Sequence, residues 1–273
     1  MSELFKRVSV AVVLIPVLIL LIVLDNTIPF AVGIYLIILL GNREIISLMR
    51  QAGEPVAPAI AWLGALLVPF CFFTEFKWVF FTFILVMFII AVFFVKLFSK
   101  DPTADTIRYV SVNIFAAVFL PLMLSFIWLL RGLPNGMYWI LYLFAAIWAS
   151  DTLAYLIGSK FGRHKIIPNV SYKKSLEGFI AGIIGGTGTA ILFYYLLIAN
   201  LSPLSFIKVI VMSADIIAAG ILGDIFESMM KRNARVKDSG SLFPGHGGVL
   251  DRLDSMLFAA PVLYIYLTIW GIV

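Results

Sequence analysis

The sequence is poor in the residues that soluble enzymes depend on. Only 13% of its 273 residues are charged, against about a quarter in a typical soluble domain. A single cysteine, Cys71, excludes a disulfide framework. With one cysteine and only two histidines, the chain cannot build a cysteine–histidine metal site. Hydrophobic residues make up 62% of the chain, and the mean hydropathy is +1.07. Such a backbone can satisfy its hydrogen bonds in lipid only as helices or as a closed barrel.

The apolar residues form continuous runs close to the length of a membrane helix, unlike the short alternating segments of barrel strands. We therefore predict an all-α, polytopic integral membrane protein with about nine transmembrane helices. The first run follows Lys6 and Arg7 without a cleavage site, so we expect it to stay as a helix. The second is short unless it continues through 42–50, where Arg43, Glu44 and Arg50 are expected to be interfacial. The predicted spans are 8–24, 28–40, 56–73, 78–97, 110–130, 137–157, 178–199, 204–230 and 255–272.

The basic residues fall in alternate loops. If the N-terminus is cytosolic, only Lys77, Arg131 and Lys208 of the 20 lysines and arginines lie outside. The positive-inside rule then predicts a cytosolic N-terminus and an outer C-terminus, for a multi-pass protein of the cell's inner (plasma) membrane.

Two predicted cytosolic loops, 158–177 and 231–254, are the longest, and both are basic and contain glycines. We therefore predict that 1–136 are N-terminal membrane scaffold helices and that 137–273 form a C-terminal catalytic membrane domain. In the seventh predicted span, Gly182 and Gly186 form a small-residue face that could pack within or between subunits, which leaves a homodimer open.

Four acids are predicted near the cytosolic boundary of the membrane: Asp151, Asp224, Asp251 and Asp254. At a rise of about 1.5 Å per residue, Asp224 lies about 24 Å from Lys208 at the outer edge, within a hydrocarbon core about 30 Å thick. Carboxylates in spans are costly and tend to mark function.

These acids could instead form structural ion pairs with Arg252, Lys231 or Lys174. Four acids from three helix ends at one depth favour a hard divalent cation such as Mg²⁺, shared with substrate phosphates. Asp215 lies about 180° around the helix from Asp224 and is expected outside this site.

Residues 228–254 form a dense polar and glycine-rich stretch. It resembles the signature of the CDP-diacylglycerol synthases, or phosphatidate cytidylyltransferases, S-x-x-K-R-x4-K-D-x-small-x2-apolar-P-x-H-G-G-x-x-D-R-x-D, and meets every fixed position. Residues 171–178 resemble the family's S-P-x-K-T-x-E-G segment, with departures at Tyr172 and Ser175. The resemblance covers about residues 145–258 and includes Asp151 and Tyr155.

The resemblance implies an enzyme that converts CTP and phosphatidic acid into CDP-diacylglycerol and pyrophosphate at the cytosolic face. The implied partners are CTP, phosphatidic acid of the inner leaflet and membrane lipid, with no nucleic acid. Mg²⁺ is the implied cofactor, and a second cation is left open. The implied catalytic residues are Asp224, Lys231, Asp251 and Asp254, of which the three aspartates hold the metal. The implied binding residues are Lys173, Lys174, Glu177, Ser228, Arg232, Lys237, His246, Gly247, Gly248 and Arg252. His164 is expected to be solvated, without a partner.

Three alternatives are weighed against this interpretation. A different CTP-dependent membrane lipid enzyme, such as a polyprenol kinase, would transfer the γ-phosphoryl group and release CDP. A transporter would place its acids at the bilayer midplane among inverted repeats, and neither is found in the sequence. A loop that only binds lipid headgroups explains the lysines and arginines but not the acids and clustered glycines.

Overall fold

The regular elements are all helical. The computed structural model describes residues 12, 15–243, 245 and 247–272, and in this part of the chain β-structure is limited to isolated bridges. Helix α1 is described over residues 15–23. The other helices are α2 Ile28–Gln51, α3 Pro58–Cys71, α4 Lys77–Leu97, α5 Thr106–Arg131, α6 Gly136–Phe161, α7 Leu176–Leu197, α8 Phe206–Asn233 and α9 Leu250–Ile269.

Seven helices among the described residues, α2 and α4 to α9, are long and apolar enough to cross a membrane. The prediction of a multi-pass helical membrane protein is confirmed to this extent, and α2 continues through 42–50. The count of nine spans is not confirmed. Helix α3 has 14 residues, and the first predicted span lies partly outside the described residues. The orientation of the termini stays a prediction.

The chain divides into two compact units. The first unit comprises Met1–Trp128 and Met230–Arg252, and the second comprises Leu129–Met229 and Leu253–Val273. The sequence suggested a different division, into scaffold helices (1–136) and a catalytic domain (137–273). That division was based on the location of candidate functional residues, and it stays a prediction.

In the first unit, α3 and α5 approach closely because Gly64 has no side chain: a Cβ there would overlap the Ala117 carbonyl. The buried side chain of Asn113 on α5 fixes the start of α3. Its Oδ1 accepts from the Ala57 amide at 2.7 Å, and its Nδ2 donates to the Pro55 carbonyl at 2.9 Å. Burying these polar groups is tolerated because each has a partner.

In the second unit, small residues let the helices around the candidate site pack closely. A Cβ on Gly182 of α7 would lie 3.0 Å from the Ser150 hydroxyl of α6, and one on Gly186 would lie 3.1 Å from the Ala146 carbonyl. The small-residue face of α7 is therefore used within the chain. A Cβ on Gly223 of α8 would overlap the Asp254 carbonyl, so α8 and α9 also touch beside two of the predicted site acids.

Candidate functional site

A cavity of about 240 Å³ opens among α6, α7, α8 and the loop before α7 in the second unit. We call it the carboxylate cavity. Its charged lining consists of Asp151, Lys173, Lys174 and Asp224. Its other lining residues, most of them apolar, are Ala154, Tyr155, Ile166, Ile167, Ser171, Ser175, Gly178, Phe179, Ile221 and Ile225. The cavity can therefore accommodate a molecule with a charged end and an apolar end.

An ion pair crosses this cavity. The Lys174 Nζ lies 2.8 Å from the Asp224 Oδ2, and both side chains are largely shielded from solvent. One turn further along α8, the Ser228 hydroxyl donates to the other Asp224 oxygen at 3.5 Å. Asp151 on α6 interacts electrostatically with both Asp224 and Lys174.

Asp254 joins the same group from α9. Its carboxylate is repelled by the charges of Asp224, Glu227 and Asp151, and one of its oxygens accepts from the Ser255 amide at 2.7 Å. Four acids from three helices therefore form one carboxylate cluster in the second unit. The structure brings together three of the four acids that the sequence grouped, Asp151, Asp224 and Asp254, and adds Glu227.

The chemistry of this cluster suits a hard cation, because all its donors are carboxylate oxygens. Among the described residues, however, no group of three or more acids, histidines or cysteines is arranged to hold a metal ion. Mg²⁺ usually binds to one or two carboxylates and takes its other ligands from water and substrate phosphates. The cluster therefore fits an ion that arrives with a phosphorylated substrate, and not one that is caged by protein alone.

Glu177 shapes the loop before α7. Its carboxylate accepts from the Arg163 amide at 3.1 Å and the His164 amide at 3.2 Å, and it contacts the His164 Nδ1 at 2.6 Å. The expectation that His164 has no partner is therefore wrong. Ser175 caps α7 by accepting from the Gly178 amide at 3.2 Å. Glu177 was predicted to bind substrate, and these contacts show it organising the loop that carries Lys173 and Lys174.

Asp251 organises a second loop, in the first unit, which we call the glycine-rich loop (238–250, without the undescribed residues 244 and 246). Its Oδ1 pairs with the Lys231 Nζ at 2.7 Å. Its Oδ2 accepts from the Ser239 amide at 2.9 Å and the Gly248 amide at 2.8 Å. Gly247 has a φ of +80°, which side-chain-bearing residues rarely adopt. Asp251 was predicted as a metal ligand, yet both of its oxygens hold parts of its own chain.

The other predicted binding residues have varied surroundings. The Arg232 guanidinium donates to the Val236 carbonyl at 3.0 Å and closes the turn after α8. Lys237 and Arg252 are exposed to solvent. His246 lies outside the described residues.

Glu44 was not predicted to be part of the site. It was expected to be an interfacial residue near the end of the second span, but it is only 8% exposed. Its carboxylate accepts from Ser239, Val249 and Leu250, which lie about 200 positions away in the chain. No local pattern signals such a contact, although an acid within a membrane helix is itself a reason to look for a partner.

The sequence profile of the cytidylyltransferase family matches residues 5–270. The chain belongs to this family. It is also similar to curated proteins named phosphatidate cytidylyltransferase. The Thermotoga maritima protein is 39% identical over 191 residues, which cover 66% of this chain and 67% of that protein. The Bacillus subtilis protein is 36% identical over 170 residues, covering 62% and 61%. The Haemophilus influenzae protein is 43% identical over 131 residues, covering 46% and 44%.

Family membership makes the chain a nucleotidyltransferase. The carboxylate cavity and the glycine-rich loop are therefore candidate parts of a nucleotidyltransferase site. The matched segments span between 44% and 67% of these relatives' lengths.

Proposed function

We propose that this chain is a phosphatidate cytidylyltransferase that converts CTP and phosphatidic acid into CDP-diacylglycerol and pyrophosphate. The observation that carries the proposal is the carboxylate cavity, whose charged residues share a 240 Å³ space with apolar side chains inside a bundle of membrane helices. An amphiphilic lipid phosphate matches this lining, since its tails can stay in lipid while its headgroup meets Lys173 and Lys174. Family membership and the names of the relatives point to the same reaction.

The reaction needs positioning and charge neutralisation more than proton transfer. A phosphate oxygen of phosphatidic acid attacks the α-phosphorus of CTP, the bond from that phosphorus to the bridging oxygen breaks, and pyrophosphate leaves. Because the attacking phosphate is already ionised at neutral pH, no general base is required. Lys173 and Lys174 reduce the repulsion between the two phosphates, and their fixed placement lowers the entropic cost of the attack.

Mg²⁺, when bound, would neutralise the charge of the nucleotide phosphates. We propose that Asp224 and Asp254 of the carboxylate cluster bind this ion. Asp251 was the third predicted ligand, but its contacts favour a role in holding the glycine-rich loop. In the first unit, Lys231, Arg232, Lys237 and the amides of the glycine-rich loop are groups of the kind that bind phosphate, and we assign them to the CTP triphosphate. We expect CTP to enter from the cytosolic side of the inner membrane.

The fate of the label distinguishes this proposal from a kinase reaction. Purified protein in detergent is given phosphatidic acid, Mg²⁺ and CTP labelled at either the α- or the γ-phosphorus. The proposal predicts that α-label enters the lipid and γ-label leaves as pyrophosphate. Transfer of γ-label to a lipid, with release of CDP, would instead indicate a CTP-dependent lipid kinase.

A further inference from the structure

Glu44 is an acid buried within a membrane helix, close to the end of α2. We propose that Glu44 is a positioning residue that fixes the glycine-rich loop in the shape in which it receives the phosphates of CTP. The part of this inference that concerns CTP rests on the proposed function.

The carboxylate of Glu44 binds both ends of the loop. Near the start of the loop, the Ser239 hydroxyl donates to the Glu44 Oε2 at 2.8 Å. At its end, the Val249 amide donates to Oε1 and the Leu250 amide donates to Oε2, each at 2.9 Å. Amides at the start of a helix such as α9 have no partner within the helix, and a negative charge there is favoured by the helix dipole. One side chain on α2 thus closes a loop from a distant part of the sequence.

The glycines of the loop make this close approach possible. A Cβ on Gly240 would lie 2.6 Å from the Glu44 Oε1, and a Cβ on Gly248 would overlap both carboxylate oxygens. Two of the glycines in the signature therefore lie against Glu44. Glycine is therefore required at these two positions for a steric reason that does not involve the nucleotide.

The Ser239 hydroxyl lies between two carboxylates. It is 2.8 Å from the Glu44 Oε2 and 2.9 Å from the Asp251 Oδ2, and a hydroxyl has only one proton to donate. The two acids thus form one network, in which Lys231 also pairs with Asp251. Because both carboxylate oxygens of Glu44 are engaged by the loop, we infer that the residue acts on the nucleotide through the loop.

The test compares Glu44→Gln with Glu54→Gln. Glutamine keeps the size of Glu44 but turns an NH₂ group toward amides that are themselves donors. Glu54 is a matched control in the same unit, since its carboxylate pairs with Arg108 at 2.8 Å, away from the loop. Each variant is purified as the full chain. Steady-state kinetics give kcat and the KM for CTP and for phosphatidic acid, thermal unfolding gives the stability, and hydrogen exchange reports on the amides of residues 247–251.

For Glu44→Gln we expect the KM for CTP to rise roughly 10- to 100-fold, as for the loss of a hydrogen bond to a charged group. The KM for phosphatidic acid should not change, and the loop amides should exchange faster than in the wild type. Glu54→Gln should match the wild type in every respect. A general loss of folded protein would lower kcat and leave both KM values unchanged, and that result would overturn the proposal. Wild-type kinetics and exchange in Glu44→Gln would overturn it too.

The exchange measurement separates this inference from the proposed function. If the wild type makes no CDP-diacylglycerol, the proposed function fails. Faster loop exchange in Glu44→Gln would still support the contact itself, and unchanged exchange would refute it.

Discussion

Lys174 and Asp224 pair at 2.8 Å within the carboxylate cavity, where both side chains are partly buried. In the absence of substrate, each neutralises the other. A substrate phosphate can replace Asp224 as the partner of Lys174, while a cation replaces Lys174 as the partner of Asp224. Before a substrate binds, the pair therefore leaves neither charge uncompensated.

Replacing Lys174 with methionine tests this role. We expect Lys174→Met to lower kcat/KM by about 100-fold, because a positive charge that offsets phosphate repulsion is lost. Lys160→Met is the control, since Lys160 is exposed at the end of α6 and does not line the cavity. Equal activity of the two variants in the radiolabelled CTP assay would contradict the assignment of Lys174.

A double-mutant cycle tests whether Lys231 and Asp251 act as one unit. If the pair mainly holds the glycine-rich loop, Lys231→Met and Asp251→Ala should each abolish most turnover, and the double variant should be no worse than either. Thermal unfolding in detergent checks that each variant stays folded. Losses that multiply in the double variant would mean that the two side chains act separately, as contacts to phosphate and to metal.

At the scale of elements, close packing of α6 against α7 shapes the carboxylate cavity. A Cβ on Gly178 would lie 2.7 Å from the Ala154 carbonyl, a backbone atom of α6 that cannot rotate away. Further along α7, Gly188 has no atom within 4 Å of the position of an added Cβ. The two glycines therefore differ in what an added methyl group would meet.

Alanine at these two positions should have opposite effects on stability. We expect Gly178→Ala to destabilise the protein by about 1–3 kcal/mol, as overpacking does. Gly188→Ala should be neutral or stabilising by up to about 1 kcal/mol, since alanine is the better helix former. Thermal unfolding in detergent measures both. A Gly178→Ala variant as stable as Gly188→Ala would show that α6 and α7 are not in close contact there.

The elements also show what a sequence can predict. Continuous apolar runs gave the seven long helices, because length and composition alone determine whether a segment can span lipid. The acids of α6, α8 and α9 were also noticeable in the sequence, since carboxylates are rare in apolar runs. Helix α3 did not follow the rule, because its apolar run of 56–73 includes residues outside the 14-residue helix.

Contacts between distant parts of the chain could not be predicted from the sequence. Glu44 was expected to be interfacial together with Arg43 and Arg50, but it binds a loop about 200 residues away in the sequence. His164 is exposed, as expected, but its contact with Glu177, 13 positions further on, was not expected. The hydrogen-bonding roles of Asp251 also depend on loop geometry. Spacing can suggest a carboxylate ligand, but it cannot tell whether that carboxylate is already engaged by backbone amides.

At the scale of the whole molecule, the chain is a helical membrane protein of the cytidylyltransferase family. Its charged groups lie in a carboxylate cavity in one compact unit and a glycine-rich loop in the other. The central claim is that the carboxylate cluster supports Mg²⁺-dependent cytidylyl transfer to phosphatidic acid.

The most direct test is Mg²⁺-dependent formation of α-labelled CDP-diacylglycerol by the wild type, Asp224→Asn and Asp215→Asn. Asp215 is the matched control, since it lies on the same helix and bonds to the Tyr266 hydroxyl. The account predicts that the wild type and Asp215→Asn form the product, and that EDTA prevents this. Asp224→Asn should lose at least about 100-fold in turnover while still unfolding cooperatively, which shows that the variant is folded. Product formation by Asp224→Asn at the wild-type rate and Mg²⁺ requirement would contradict the central claim.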